Sequence, residues 1–404
     1  MSFAFPKTPR PDHVPENLVL PFPYIFGTTT KADPFNELAA SVHTYPDIFY
    51  AEHAYPGGTP AWILRRTEDL RAMYFNTEHF SSKGFSPFAM LIGEDWNLMP
   101  AEMDPPEHGA YRALVSPLFT PAAMAKLDDR IRQYAREYVL GFKDKGECEF
   151  MADFAFEFPI KVFLELMGLP LDMTPLFLEW ETNLLHNHDM SQIAAAARKV
   201  VDYLREQIED RRHNPQDDLI TFAVQASFQG RPLNDAELVG FTFNLFIGGL
   251  DTVSTHMGLQ FLHLARHLEH QQELRDNPAL IPQAIEELMR AYPAVTTFRT
   301  CVKETEIKGV KFMPGDKVAM STTLVGRDPE EYDNPGKVDF HRKARHLTFA
   351  FGPHLCVGMH LARREMRIAM EEFLANIPEF RLPENFEVEY HLGMVQPVTL
   401  PLKW

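Results

Sequence analysis

Along most of the chain apolar residues recur at helical spacing, and five stretches predict long helices: Pro106–Phe119, Pro121–Lys143, Ser191–His213, Asp235–His267 and Ile281–Ala291. Several of them open on Pro, Ser or Asp, residues that suit a helix start. From Met359 the run MHLARREMRIAMEEFL places Ala362, Met366, Ala369, Met370 and Phe373 as an apolar stripe, which predicts a further amphipathic helix. Strand signals are fewer. Ala61 to Arg66 (AWILRR) reads as a short strand, and the β-branched residues between Thr297 and Val325, interrupted by Lys308-Gly309 and Pro314-Gly315, read as short strands joined by turns. The proline-rich residues 1–35 are expected to wrap the surface without a long helix, and Ser81–Pro106 to form a loop. The expected fold class is mainly α with a small β region. No repeat, linker or composition break divides the chain, so residues 1–404 are expected to form a single domain.

Composition narrows the function by exclusion. Hydrophobic residues at 45% and charged residues at 24% are ordinary globular values, which removes disordered and low-complexity classes. Against 39 Lys+Arg stand 56 Asp+Glu, and a formal charge of −17 argues against nucleic acid or an anionic membrane as partner. No run approaches the ~18 uninterrupted apolar residues of a membrane span, and the proline-broken N-terminus is unlike a signal peptide. Cys148, Cys301 and Cys356 are odd in number and far apart, a poor disulfide framework that suits a reducing compartment. A soluble, cytoplasmic, monomeric protein is expected.

Cys356 stands apart from the other two cysteines. It lies in FAFGPHLCVG, directly before the amphipathic run, where helix dipole and free N–H groups would stabilise a thiolate fit for metal ligation. Gly352 and Gly358 would let the backbone pass close to something flat and bulky. The spacing of Phe349, Gly352, His354, Cys356 and Gly358 resembles the cysteine-ligand loop of the cytochrome P-450 haem-thiolate monooxygenases. The resemblance is strongest from about Pro100 to the C-terminus. It implies that haem b is bound with Cys356 as the iron ligand.

Other segments can be weighed independently. In FNLFIGGLDTVSTH, Gly248 and Gly249 interrupt a long helix at about 1 kcal/mol each relative to Ala, beside the acid and hydroxyl of Asp251-Thr252. Alone, this reads as close helix packing with a solvent-facing acid; within the family it resembles the oxygen-binding groove with its proton-handling pair. Glu287 and Arg290, three apart on one face, are a weak signal by themselves. With Arg342 they resemble the family's Glu-Arg-Arg network that supports the cysteine loop. His108 and Arg112 in MDPPEHGAYR share a helix face. They, together with Arg299 and His354, match positions that contact haem propionates in the family. His263, His267 and His270, read as one helix, could hold zinc if a carboxylate joined them, but no H-E-x-x-H accompanies them and a solvated face is the simpler account.

Within the family, GGLDT, MDPPEH, HLARRE and the ending PLKW resemble the bacterial camphor monooxygenases. That likeness places Trp96, Leu98, Asn244, Ile247, Val295, Thr297, Met394 and Val395 around a largely apolar substrate space. Trp96 stands where a camphor-binding tyrosine is expected, and Thr297 where an aspartate is. The implied substrate is therefore a small terpenoid or norisoprenoid ketone or alcohol, ionone-like rather than camphor, with Asn244 as polar contact. The implied activity uses dioxygen, Thr252 preventing early loss of hydrogen peroxide and Asp251 relaying protons. The chain shows no nucleotide-binding motif, so electrons would come from an acidic 2Fe-2S ferredoxin with its reductase. The cationic segment HRKARH at 341–346 is either that dock or merely the setting of Arg342. A peroxide-driven hydroxylase and a non-catalytic haem gas sensor are the rival readings, and neither calls for Asp251-Thr252.

Overall fold

A computed structural model describes residues 9–55, 58–187 and 189–404. Contacts gather into two compact units, each assembled from separated stretches of chain.

One unit comprises residues up to Phe85 with Pro282–Cys356 and Glu387–Val398. Its centre is a five-stranded sheet in the order Ile48–Tyr55, Thr59–Leu64, Lys317–Ser321, Thr296–Cys301, Phe80–Ser81. All pairs are antiparallel except Thr59–Leu64 with Lys317–Ser321, where Val318 lies opposite Trp62. Trp62, fully buried, packs against Tyr50 and Phe312 at 5.0 and 5.4 Å between ring centroids. The β-branched segment forms its strands as the pattern predicts. Lys308 and Gly309, both at positive φ, close the hairpin between Thr305–Ile307 and Val310–Phe312, a backbone state that two-residue hairpin turns require. Two 3-10 and π turns, Glu16–Leu18 and Pro34–Leu38, are the first helical pieces among the described N-terminal residues.

The second unit, Ser86–Ile281 with Val357–Phe386 and Thr399–Trp404, is helical. Here Met359–Asn376 packs on Asp128–Phe142, and the seam is closed by charges: Arg132 donates to Glu372, while Arg364 and Arg367 share Asp128. Beneath them lies an aromatic cluster in which Phe373 meets Phe261 at 4.8 Å and Phe380 at 5.1 Å.

Several elements differ from the sequence pattern. Pro121–Lys143 is two helices, Pro121–Ala125 and Asp128–Phe142, because Asp128 starts a new helix while its carboxylate serves the two arginines. Asp235–His267 is also two, Asp235–Gly249 and Asp251–Arg266, parted at Leu250 directly after the paired glycines. The loop Ser81–Pro106 contains a helical turn, Phe88–Leu91. Helix Glu157–Met167 escaped the pattern because burial on several sides leaves little polar stripe to reveal a period, and Thr174–Leu185 because its buried stripe of Phe177, Trp180 and Leu184 is short and carries Glu181. Among the described residues one stretch, Asp235–Arg266, is long and apolar enough to cross a membrane, and 72% of its most apolar window is buried inside the protein.

Candidate active site

The segment Phe349–Gly358 folds back on itself. The Cys356 N–H donates to the Phe349 carbonyl at 2.9 Å, and Leu355 N–H to Gly352 at 3.1 Å. Gly352 needs its glycine: φ is +67°, and a Cβ would sit 3.3 Å from the Phe75 ring. The helix that follows begins at Met359, so Cys356 lies three residues ahead of it rather than within its first turn. All of residues 352–364 are half-buried, Leu355, Val357, Met359 and Leu361 included, and nothing lies within 4 Å of where a Gly358 Cβ would be. Leu355 beside the half-buried thiol is an apolar side chain left partly uncovered, which suits an apolar occupant. Cys148 and Cys301 offer no such site: both are buried, and desolvation pushes their thiols up, away from the thiolate form.

Arg299 is buried on the strand Thr296–Cys301, fourth in the sheet, and donates to the Phe298 carbonyl at 2.8 Å. His354 Nε2 lies 3.1 Å from Ser82 Oγ, next to the strand Phe80–Ser81 that pairs with Thr300 and Cys301. In the helical unit, His108 is buried and Arg112 is half-buried on Glu107–Val115, where Arg112 Nε donates to Ser116 at 3.2 Å. Within the sheet unit, the soft sulfur of Cys356 with the cationic and imidazole donors of Arg299 and His354 fits an iron macrocycle that carries carboxylates.

Glu287, Arg290 and Arg342 form one network. The Arg290 Nη2 donates to Glu287 Oε1 at 2.7 Å and its Nε to Oε2 at 3.1 Å, both side chains fully buried; Arg342 Nε adds a bond to Oε1 at 3.2 Å. Arg290 also donates to the carbonyls of Gly326, Pro335 and Lys337. Those carbonyls belong to the segment that leads towards the cysteine loop.

In the helical unit, the break at Leu250 (φ −98°, ψ −73°) separates Gly249 from Asp251. A Cβ on Gly249 would lie 3.2 Å from Phe163, whereas Gly248 looks onto open space. The Thr252 hydroxyl donates to the Gly248 carbonyl at 3.2 Å. Asp251 points instead into the protein, 1% exposed, with Oδ1 3.2 Å from His186 Nε2; Glu181, 2% exposed, approaches the same nitrogen at 3.6 Å. Asp251 is therefore not the solvent-facing acid that GGLDT read alone would suggest. Neither His186 nor Glu181 emerged from the sequence. Glu181 did carry a signal, since it occupies an apolar stripe with Phe177, Trp180 and Leu184.

Asn244, Ile247, Gly248 and Thr252 make a less covered stripe along helices whose other residues are mostly buried. Trp96 and Leu98 are themselves buried. The Trp96 indole N–H donates to Glu94 at 2.8 Å and its ring packs on Phe243 at 4.9 Å, so its polar atom is already occupied. In the sheet unit, the Val395 N–H donates to the Ala294 carbonyl at 3.0 Å; Met394, Val295 and Thr297 are half-buried and Val395 is 1% exposed. The three histidines differ from the sequence reading. The helix stops at Arg266, a new one starts at Leu268, and His263 Nε2 meets His270 Nδ1 at 2.8 Å, so they do not form one solvated helix face.

The family model for cytochrome P450 matches residues 160–391. The probable cytochrome P450 127A1 of Sinorhizobium fredii is 38% identical over 393 residues, 96% of this chain and 94% of that one. Cytochrome P450-terp of a Pseudomonas species is 34% identical, covering 69% of this chain and 70% of its own. Among solved structures, CYP101J2 superposes with a TM-score of 0.88 at 29% identity and CYP101C1 with 0.86 at 31%, each over 98% of this chain and 99% of the other. Together with the half-buried thiol and the glycine-broken helix, these likenesses place the chain in the cytochrome P450 family, as a haem-thiolate monooxygenase of the bacterial type.

Proposed function

We propose that this monooxygenase hydroxylates a small, compact terpenoid or norisoprenoid, ionone-like in size, oriented by a single ketone or hydroxyl. The observation that carries the reading is the uncovered stripe of Asn244, Ile247, Gly248 and Thr252, in which one aliphatic side chain and a glycine leave space beside a single amide able to donate and accept. Trp96 adds apolar bulk and no spare N–H, because Glu94 already takes it. Similarity to a relative named cytochrome P450-terp agrees with this substrate class.

Haem bound through Cys356 would supply the oxidation of the C–H bond, the thiolate pushing electron density toward O–O cleavage. His108, Arg112, Arg299 and His354 would hold its carboxylates. Thr252 would turn its hydroxyl from the Gly248 carbonyl toward oxygen and guard against loss of hydrogen peroxide, while Asp251 would bring protons from the buried side of the groove. A peroxide-driven enzyme or a gas sensor would have no use for this pair.

Electrons would come from an acidic 2Fe-2S ferredoxin and its reductase. In support, Lys343 and Arg345 are exposed and make no ion pair among the described residues. The same unit exposes Phe75 and Phe351 as an edge-to-face pair at 5.5 Å, immediately before the cysteine loop turns at Gly352. Exposed cations and an exposed aromatic pair in one unit suit a transient, electrostatically steered partner.

Optical titration tests the substrate. Ionone-type ketones should displace the haem's water ligand more fully and at lower concentration than camphor, and Asn244→Leu should weaken that response. Stronger displacement by camphor would overturn the substrate class, and unchanged ketone affinity in Asn244→Leu would remove the role of the amide.

A further inference from the structure

Beneath the oxygen groove the helical unit holds three ionisable groups that the acid and hydroxyl alone do not explain. His186, Glu181 and Asp251 bring their ligand-type atoms within 4.8 Å of one another. Their exposure is graded: the His186 side chain is 17% exposed, Glu181 3% and Asp251 1%. Neither Glu181 oxygen is in hydrogen-bond geometry with a described residue. A burial of two carboxylates on one imidazole is costly as pure scaffolding, because a static ion pair is better served by a guanidinium with five fixed donors.

Building on the monooxygenase reading, we propose that His186 is the port through which protons enter, taking them from solvent and handing them from Nε2 to Asp251 Oδ1, with Glu181 setting the pH range of the transfer. The step moves one proton and no electrons. Imidazolium becomes imidazole, the carboxylate becomes the acid, and water then reprotonates the ring. The 3.2 Å separation is within reach of direct transfer.

The surrounding charges leave this task to the cluster. On the packed helix Glu157–Met167, Lys161 is paired with Glu137 and Glu165 with Arg130, while Glu157 interacts with Tyr138. On Met190–His213, Lys199 pairs with Glu179, and Arg198 and Arg205 pair with Glu94. On Asp235–Gly249, Glu237 is held by Arg231. Phe156 flanks the imidazole at 6.4 Å between ring centroids. Among the described residues, the carboxylates that meet the His186 ring are Asp251 and Glu181. Burial disfavours its charged form, but those two carboxylates outweigh burial and push it up to about 10. Burial, then the charge of Asp251, pushes Glu181 up to about 7.

The pH dependence follows in sign. Below about pH 7 Glu181 is protonated and the imidazolium faces one carboxylate; above it the ring faces two and releases its proton less readily. Turnover should therefore fall on the alkaline side with a midpoint near 7.

The test uses the holoenzyme. In NMR spectra of the diamagnetic reduced carbon monoxide complex, the ring signal lost in His186→Gln should titrate far above free imidazole, and lower in Asp251→Asn. His186→Arg keeps a cation beside Asp251 but cannot pass a proton at these pH values. It should cut kcat about 10-fold or more while leaving substrate KM and the carbon monoxide band intact. Glu181→Gln should abolish the alkaline fall. Wild-type kcat in His186→Arg, an ordinary His186 titration, or an unchanged pH profile in Glu181→Gln would overturn the proposal. Failure of the monooxygenase reading is separate: it would show as no thiolate-type carbon monoxide band in the wild-type protein, whereas a band that survives Cys356→Ser would overturn only the choice of Cys356 as ligand.

Discussion

Glu287 and Glu181 are both carboxylates taken almost wholly out of water, yet the molecule treats them in opposite ways. Glu287 receives two bonds from Arg290, one from Arg342 and one from the Asp339 N–H, and Arg290 spends its remaining donors on three carbonyls. Glu181 faces one imidazole at 3.6 Å and a second carboxylate. A fully satisfied network fixes one geometry, whereas an under-satisfied one retains protons that can move. The first therefore serves the fold around the cysteine segment, and the second serves turnover.

The largest expected effect breaks the fixed network. Arg290→Leu strands Glu287 in a fully buried site and should cost about 3–5 kcal/mol of stability, read from urea midpoints, along with much of the haem content. Replacing Glu287 and Arg290 together by apolar residues should recover part of the stability. A single variant as stable as wild type would show that the network is not structural.

The next effect falls on the titratable side, with folding intact. Asp251→Asn should lower kcat about 100-fold by removing the acceptor of the His186 proton. Thr252→Ala should instead keep oxygen consumption while diverting reducing equivalents to hydrogen peroxide. Product yield per electron, set beside peroxide yield, separates the two; tight coupling in Thr252→Ala would contradict the division of roles.

How much of this was legible in the sequence follows from locality. The cysteine loop and the glycine break are contiguous motifs, so Cys356, Gly248, Gly249, Asp251 and Thr252 could be picked out before any coordinates. The environment of Asp251 could not, because His186 and Glu181 lie 65 and 70 residues upstream on a helix whose weak amphipathic pattern hid it. Only a carboxylate on an apolar stripe betrayed Glu181. The helix boundary that failed, at Lys126–Leu127, failed for a related reason: the ion pairs of Asp128 with Arg364 and Arg367 accompany an interruption that the periodic run does not show.

The smallest expected effect divides one short segment between the two kinds of behaviour. In HRKARH, Arg342 belongs to the fixed network, His346 meets Glu286 at 3.3 Å, and Lys343 and Arg345 stand outside in solvent. Charge reversal at Lys343 or Arg345 should leave stability, the carbon monoxide band and substrate affinity unchanged, since exposed charges contribute little to folding. It should raise the ferredoxin concentration for half-maximal rate several-fold at low salt. That difference should shrink as ionic strength rises, because charges beyond a Debye length of ~8 Å at physiological salt are largely screened. Arg342→Glu should behave unlike its neighbours and destabilise the protein, because it sets a second carboxylate against Glu287. If Lys343→Glu and Arg345→Glu leave ferredoxin dependence untouched at every salt concentration, the segment is only the surface of the Glu287 network and the electron donor docks elsewhere.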